Sequence, residues 1–330
     1  MKKSFYTVKK AGILTAAAVL GVAALAGCGS KTDTAESTAA SEAATEAAGE
    51  AEAADTQLVI AGGDSAGLIA AVQAAAEGMD PSKILILAPG EALAADMTEM
   101  APYVNAANTS EQFKANLEDD FEVYLSDILA AGNHTNNEDM AAYVSESSEA
   151  AKSWLTDTLG IEYGDLTQET GSSVARSFPA KEGELNRLAQ EALLKKVEEL
   201  KIPIEYKTEL KSVAYSEEGI LDRITVTVDG KDEEIDCLAL VATDVSLVPV
   251  FEESQVFETD GKTAALVVSN NAEQLNKDSG EAIGGLYAAG PIVAAAVDGE
   301  GVLSGNELTE AVVFGMTAGT EAAGYISDNQ

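Results

Sequence analysis

The residues best suited to chemistry lie in one short stretch, from Gln57 to Leu87. It begins with an apolar run of strand length, turns at Gly62, Asp64 and Gly67, and continues through an alanine-rich segment to a second apolar run. In a G-x-G-x-x-G turn, the first glycine makes the turn, the second lets backbone approach a pyrophosphate, and the third lets helix and strand pack. Because Asp64 replaces the second glycine, the stretch predicts the fold of a nucleotide site more strongly than a bound nucleotide.

A parallel sheet must position this turn, since a strand, a helix and a strand within about thirty residues form a βαβ unit. Apolar periodicity and capping patterns predict further helices at residues 109–132, 136–155, 183–200 and 306–326. Alternating or continuous apolar runs predict strands at residues 202–206, 210–215, 224–228, 235–242, 264–268 and 285–290. Asp229-Gly230 predicts a hairpin within an antiparallel meander, and residues 88–108 are interpreted as a long loop.

The N-terminus carries the pattern of a secretory signal peptide, which we assign to residues 1–27. Lysines come first, an apolar run follows, and small residues precede Cys28 as in a bacterial lipoprotein signal, in which that cysteine is lipidated. The alternative is a plain signal peptide with an incidental cysteine; the run is shorter than the ~20 residues of a membrane span. We therefore expect a lipid anchor on the extracytoplasmic face of a bacterial membrane.

Composition divides the rest of the chain. Residues 28–55 are rich in Ala, Glu, Ser and Thr and predict a disordered tether, whereas residues 56–330 are long enough for a single domain. The formal charge is −36, and it becomes −40 once a signal peptide with four lysines is removed. Such a surface repels nucleic acid, so we do not expect that partner. We also expect no metal site. Cys237 lies in an apolar strand and is interpreted as a core residue.

Five stretches in order resemble the FAD-binding domain of fumarate reductase and succinate dehydrogenase flavoproteins, particularly the soluble fumarate reductases. They are residues 59–73, 171–177, 237–243, 283–290 and 304–315. The resemblance covers most of residues 56–325 and implies an α/β, Rossmann-like fold of the GR2 type, with a parallel sheet, an antiparallel meander and flanking helices. It also implies that FAD is held by Gly62, Gly63, Asp64, Ala66, Gly67, Ala242, Thr243, Gly290, Gly305, Asn306 and Leu308.

The chain departs from the family where substrate is bound. The family has a capping domain where this chain has only residues 244–263, so the cap is expected to be missing. The family's histidine and substrate-binding arginine align with Asp298 and Val302. Reducing a dicarboxylate requires several cations at one point, and the chain holds one histidine and three arginines. These are His134, Arg176, Arg187 and Arg223, of which only Arg176 is in a motif position and is a weak catalytic candidate.

The expected cofactor contacts depart from the family as well. Asp64 stands where the pyrophosphate would lie, and one like-charge pair at about 4 Å costs roughly 4 kcal/mol at an effective dielectric of about 20. Ala88 replaces the acidic residue expected to bind the ribose, and Pro291 follows Gly290 in place of a glutamate. The N-terminus of the last helix, at Gly305, remains suited to face a flavin ring.

These observations lead to two main hypotheses. The first is a catalytically degenerate relative of fumarate-reductase-type oxidoreductases, with FAD weakly held or lost, that serves as a binding or scaffold lipoprotein for a membrane-associated partner. The alternative is an active extracytoplasmic flavoprotein that binds FAD and uses a partner chain, which would supply the missing cap. A solute-binding lipoprotein is a third class, but the chain lacks the two-lobe repeat expected there.

Overall fold

The computed structural model describes residues 56–94, 96–259 and 262–330. The predicted signal peptide, Cys28 and the predicted tether lie outside the described residues. The helices are α1 (Ser65–Ala76), α2 (Ser110–Lys114), α3 (Phe121–Ala131), α4 (Glu138–Leu159), α5 (Leu185–Leu200), α6 (Pro291–Asp298) and α7 (Asn306–Asn329). The strands are β1 (Leu58–Ala61), β2 (Ile84–Ala88), β3 (Tyr103–Asn105), β4 (Ser177–Pro179), β5 (Ile204–Tyr206), β6 (Thr208–Tyr215), β7 (Leu221–Val228), β8 (Lys231–Ile235), β9 (Ala239–Ala242), β10 (Val256–Thr259), β11 (Lys262–Leu266), β12 (Glu273–Leu275) and β13 (Ala282–Ala288).

A six-stranded sheet forms the centre of the domain. Its strand order is β12-β13-β9-β1-β2-β5, in which β12 is antiparallel and the other strands run parallel. β1 lies between β2 and β9, and all three strands are buried along their length. Strands buried on both faces read as continuous apolar runs, which is why the sequence identified them. The α/β fold class predicted from the sequence is confirmed.

Antiparallel strands account for the remaining pairs. β6, β7 and β8 form the predicted meander, and β7 joins β8 through a hairpin at Asp229 and Gly230. Both turn residues have positive φ, +49° and +76°, as a two-residue turn of this type requires. The pairs β3–β4 and β10–β11 each form a two-stranded ladder.

The α1 and α7 helices pack against each other through glycines. A side-chain carbon placed on Gly315 would lie 2.8 Å from the carbonyl oxygen of Ala66, and one on Gly319 would collide with the carbonyl oxygen of Ala70. The two helix backbones are therefore in direct contact. This contact fixes the spacing between the N-termini of the two helices, where the candidate site residues lie.

The structure corrects several expectations. The helix expected over residues 109–132 is two helices, because Asn116 turns with a φ of +55° and Asp120 caps α3. Phe113, expected in the core, is 85% exposed as a result. The long loop expected at residues 88–108 contains β3, and the strand expected at 235–242 is divided between β8 and β9. The α6 helix was not predicted, because its Ala-rich sequence offers little periodicity.

Two other expectations hold, those for Thr109 and Cys237. The capping box at Thr109 is present, with its hydroxyl accepting the Gln112 amide and the Gln112 side chain accepting the Thr109 amide. Cys237 is a buried core residue, and burial raises the pKa of its thiol to about 12. Within the described residues, no helix combines the length and apolarity of a membrane span.

A candidate nucleotide crevice and an adjacent acidic cavity

The carboxyl ends of the parallel strands converge on one edge of the central sheet. The strands that meet there end at Ala61, Ala88, Ala242 and Ala288. The Gly62 amide donates to the Leu87 carbonyl at 3.1 Å, and the Thr243 amide donates to the Ala61 carbonyl at 3.0 Å. Ligands of open α/β sheets bind in the crevice outside these strand ends. This edge is therefore the candidate nucleotide crevice.

The first and third glycines of the turn serve the purposes predicted for them. Gly62 has a φ of +142°, and a side chain there would collide with the Thr243 hydroxyl. A side-chain carbon on Gly67 would lie 2.5 Å from the Gly62 carbonyl oxygen, so only glycine lets α1 approach β1 this closely. Between them, the Gly63 carbonyl accepts a hydrogen bond from the Ala94 amide at 2.8 Å. The segment after β2 thus folds back onto the turn.

Asp64 caps the N-terminus of α1. Its Oδ1 accepts the Gly67 amide at 3.0 Å, and its Oδ2 accepts the Thr243 hydroxyl at 2.5 Å. Burial raises the pKa of Asp64 to about 6, although both hydrogen bonds act in the opposite direction. The carboxylate therefore occupies the helix terminus that would bind a pyrophosphate in a dinucleotide site.

Asp96 places a second carboxylate on the same helix terminus. Its Oδ1 accepts the Ser65 amide at 3.0 Å, and its Oδ2 accepts the Ser65 hydroxyl at 2.7 Å. The charge of Asp96 also contributes to the raised pKa of Asp64. Two amides that an external anion would use, those of Ser65 and Gly67, are thus bound by carboxylates of the same chain.

The crevice beside this turn is small and acidic. One cavity of about 250 Å³ is bordered by the glycine turn, residues 88–94 and Asp244. A second, of about 300 Å³, extends from Asp244 toward Thr208 and Val250. Among the described residues, no lysine or arginine lines either cavity. A pyrophosphate carries two negative charges, so this arrangement of residues does not fit the pyrophosphate of FAD.

Three further residues that the resemblance assigned to FAD take part in packing. Gly290 is the N-cap of α6, and a side-chain carbon on it would lie 2.5 Å from the Cβ of Ala66. Ala66 and Ala242 are both fully buried. The structure therefore brings these residues to one place, but between elements of the protein itself.

The N-terminus of α7 is covered by protein. Gly305 has a φ of +88° and lies against the ring of Tyr103. Asn306 is fully buried, and its Oδ1 accepts the Tyr124 hydroxyl at 2.7 Å. Leu308 is fully buried as well. These contacts leave the three expected flavin contacts at this helix engaged with neighbouring residues.

Arg176 lies in the core. Its side chain is 0% exposed, and its Nη2 lies 2.9 Å from Asp119 Oδ1 and 2.8 Å from Asp127 Oδ2. The guanidinium also stacks over the Tyr124 ring, with 4.5 Å between its central carbon and the ring centre. Burial raises the pKa of Asp119 to about 6, against the lowering effect of Arg176. Arg176 is thus buried and paired with two carboxylates of the same chain.

The other two arginines and the histidine are at the surface. Arg187 pairs with Glu184, and both side chains are more than half exposed. Arg223 pairs with two carboxylates of the meander, and its side chain is 43% exposed. His134 is exposed in the loop between α3 and α4, with a φ of +55°. These residues do not converge on the crevice.

Asp298 and Val302, which align with the family's histidine and arginine, line a cavity of about 560 Å³. It lies against α6 and the first turns of α7, which contributes Glu307 and Glu310. Burial is the largest cause of two raised pKa values: that of Asp298 rises to about 7, and that of Glu310 rises well above its ordinary value. Among the described residues, no basic side chain lines this cavity. We call it the acidic cavity.

Sequence analysis did not identify the partner residues that determine the electrostatics of these sites. Asp96 acts on a helix that begins 31 residues earlier, and no local pattern marks such a contact. Asp119 lies just before α3 and Asp127 lies within it, and in the sequence both resembled ordinary surface acids. For the acidic cavity, the resemblance pointed to Asp298 and Val302, and the spacing of Glu307 and Glu310, which places both on one face of α7, was the further available signal.

The fold is shared with fumarate-reductase-type flavoproteins. The open conformation of a flavocytochrome c3 fumarate reductase matches with a TM-score of 0.67 at 14% identity, covering 82% of this chain and 78% of that chain. A 3-ketosteroid dehydrogenase from Rhodococcus jostii matches with a TM-score of 0.63 at 14% identity, covering 81% of this chain and 96% of that chain. Quinol fumarate reductase from E. coli matches with a TM-score of 0.61 at 14% identity, covering 83% and 71%.

Sequence similarity points to the same group. A NADH:fumarate oxidoreductase from Klebsiella pneumoniae is 29% identical over 126 residues, which is 38% of this chain. The match spans 13% of that relative's length. A comparison with models of known protein families found no match. The chain is thus similar in sequence and fold to fumarate-reductase-type flavoproteins.

Proposed function

We propose that this protein is a lipid-anchored relative of fumarate-reductase-type FAD-dependent oxidoreductases that no longer performs their reaction. FAD is held weakly or not at all, and the domain serves as a binding or scaffold protein on the extracytoplasmic face of the membrane. The observation that carries this proposal is the N-terminus of α1, where the Ser65 and Gly67 amides are bound by Asp96 and Asp64. A pyrophosphate would have to displace both carboxylates.

The charges of the candidate site support the loss of the reaction. Fumarate is a dianion, and its reduction requires cations that bind both carboxylates and stabilise developing charge. The acidic cavity contains Asp298 and Val302 where the family has a histidine and an arginine, and Arg176 is buried between two aspartates. A dianion would meet repulsion in place of binding.

Flavin content tests this proposal directly. The full chain, purified in mild detergent, is expected to show no stoichiometric visible absorption band of oxidised flavin, and added FAD is expected not to raise its melting temperature. A stoichiometric band would contradict the proposal and favour the alternative, an active flavoprotein that uses a partner chain. Residues 244–263 are then the place where such a chain would supply the cap.

Variants at the N-terminus of α1 test whether the two carboxylates there exclude FAD. Replacing Asp64 by glycine frees the Gly67 amide, and adding Asp96→Ala frees that of Ser65. If the two carboxylates exclude the pyrophosphate, the double variant should bind FAD at least about tenfold more tightly than the natural chain. Asp120→Gly is the matched control, because Asp120 caps α3 with the same geometry but lies on another helix. Equal affinities in all variants would show that the crevice excludes FAD for another reason.

Lipid anchoring requires its own test. Cys28→Ser is expected to release the protein from the membrane fraction, because a serine cannot carry the thioether-linked lipid. A protein that stays in the membrane fraction after this substitution would contradict the anchor, while leaving the flavin result unaffected.

A further inference from the structure

The acidic cavity combines an apolar wall with several carboxylates. Its volume of about 560 Å³ lies within the range of pockets that hold small organic molecules. Met100, Pro291, Ala294 and Ala295 supply apolar surface. The carboxylates come from α6, α7 and the adjoining loops, and they are Glu99, Asp298, Glu300, Glu307 and Glu310.

Three carboxylate oxygens in this cavity have no protein donor. Asp298 Oδ1, Glu307 Oε2 and Glu310 Oε1 are buried atoms that accept no hydrogen bond from the described residues. Glu310 as a whole is only 4% exposed. Buried charges of this kind are costly unless they are paired. The Asp298 and Glu310 carboxyls contact each other, and two acceptors can do so only with a proton or a cation between them.

No charge from the protein compensates this pair. Tyr124 of α3 interacts with Glu310 but carries no positive charge, and Asn306 offers only a neutral amide. Arg176 is already neutralised by two aspartates. No group of three or more His, Cys, Asp or Glu within the described residues has the geometry of a metal site. The pair must therefore hold a proton, or take its compensating charge from a ligand that is not a coordinated metal ion.

We propose that the acidic cavity binds an organic ammonium ion, with its charged nitrogen between Asp298 and Glu310 and its apolar body against Met100 and the first turns of α6. Ammonium-to-carboxylate hydrogen bonds would satisfy the oxygens that lack donors. This inference deepens the proposed binding function, on which it rests, because the cavity is taken to be free of flavin.

Calorimetric titration of the flavin-free full chain tests the proposal, with tryptamine as the probe. Tryptophol and indole-3-acetate are matched neutral and anionic analogues with the same ring. Tryptamine is expected to bind with a submillimolar Kd and to raise the melting temperature, whereas the two analogues should bind at least tenfold more weakly. If tryptophol binds as tightly as tryptamine, binding depends on apolar contact alone, and the proposal is overturned. Absence of tryptamine binding would also overturn it, leaving a shared proton as the compensating charge.

Two variants locate the binding. Glu310→Gln and Asp298→Asn keep side-chain size but remove the charge, and each is expected to weaken tryptamine binding at least tenfold while the melting temperature is maintained. Glu122→Gln, on the exposed face of α3, is the matched control and should bind as the natural chain does. Unchanged affinity in both cavity variants would place tryptamine elsewhere and contradict the proposal.

Proton release gives a second readout. An ammonium ion that replaces the shared proton should release about one proton, measured as a dependence of the binding enthalpy on the ionisation enthalpy of the buffer. This release should disappear in Asp298→Asn; release that persists there would contradict the assigned site. The titratable groups that face the pair are Glu99, Tyr124, Glu300 and Glu307. The FAD measurement described above is independent, so failure of either proposal can be recognised separately.

Discussion

Two buried acidic clusters in this molecule differ in whether the protein supplies a compensating cation. In the first, Asp119 and Asp127 share the guanidinium of Arg176, which lies 2.9 and 2.8 Å from their oxygens. In the second, Asp298 and Glu310 face each other in a cavity that no described basic side chain lines. The first cluster has its compensating cation within the chain. The second requires a proton or a ligand.

This difference shows how a buried carboxylate can be assigned either a structural role or a ligand-binding role. Both clusters contain a carboxyl whose pKa is raised by burial, so a raised pKa does not distinguish them. What distinguishes them is the presence of a compensating cation and of open volume. Asp119 and Asp127 have a cation of the protein beside them, whereas Asp298 and Glu310 line a cavity without a described basic side chain, which is why we propose a ligand there.

The largest effect is expected from Arg176→Met, which leaves two buried carboxylates unpaired. Removing one partner of a buried ion pair costs about 3–5 kcal/mol, so the free energy of unfolding should fall by that amount in urea denaturation. Adding Asp119→Asn and Asp127→Asn should recover most of the loss. A loss that persists in the triple variant would show that Arg176 acts through packing on Tyr124 rather than through charge.

The pH dependence of stability is expected to be the next largest effect. The pKa values of Asp64 and Asp119 are raised to about 6, and that of Asp298 to about 7, from an ordinary value of 3.8. The folded state therefore binds more protons than the unfolded state between about pH 4 and pH 7, and stability falls as the pH rises through that window. We expect each of these three groups to make the free energy of unfolding about 1–3 kcal/mol higher at about pH 5 than at about pH 8.

Urea titrations at both pH values measure this difference. The variant Asp64→Asn with Asp298→Asn should show a clearly smaller dependence. Because the net charge of −36 also opposes folding at high pH, an unchanged dependence in that variant would assign the effect to general repulsion.

Neutralising the second cluster should stabilise the protein when no ligand is present. Asp298→Asn with Glu310→Gln removes the need for a proton, and the amides can hydrogen-bond to each other. We expect a gain of about 1–2 kcal/mol at about pH 8 and no gain at about pH 5, where the natural pair holds its proton. Destabilisation at both pH values would mean that the pair is structural, like the first cluster.

The smallest effect is expected from Arg187→Ala, which breaks a surface ion pair. Arg187 and Glu184 are 62% and 59% exposed, and such pairs contribute under about 0.5 kcal/mol. The change should be within the error of urea denaturation. A larger loss would show that exposure alone does not separate surface arginines from Arg176, and would weaken the comparison.

The sequence predicted elements whose cause is local. The βαβ unit around Gly62 and the hairpin at Asp229 depend on residue types within a few positions of each other, and both are present in the structure. The division of residues 109–132 into two helices was not predicted, because the apolar stripe continues through Asn116 and Asp120 without interruption. Here backbone conformation and a cap override the pattern.

The sequence predicted where the candidate site residues lie, but not which residues surround them there. The resemblance brought attention to Asp64 and Asp298, and the structure places them in the crevice and in the acidic cavity. Asp96 lies 31 residues from the Ser65 amide that it binds, and a contact across that separation leaves no periodicity or motif in a single sequence. Glu310 lies only twelve residues from Asp298, but that spacing alone does not show that both carboxyls line one cavity.

The glycine contact between α1 and α7 holds the two helices together independently of the residues at their N-termini. Residues near the N-terminal ends of these helices can be exchanged, charge for charge or charge for methyl, while the distance between the ends stays the same. A methyl group at Gly315 or Gly319 would instead push the two backbones apart and move both ends together. A fold held by this helix contact can therefore lose one reaction and acquire a different ligand while its backbone stays the same.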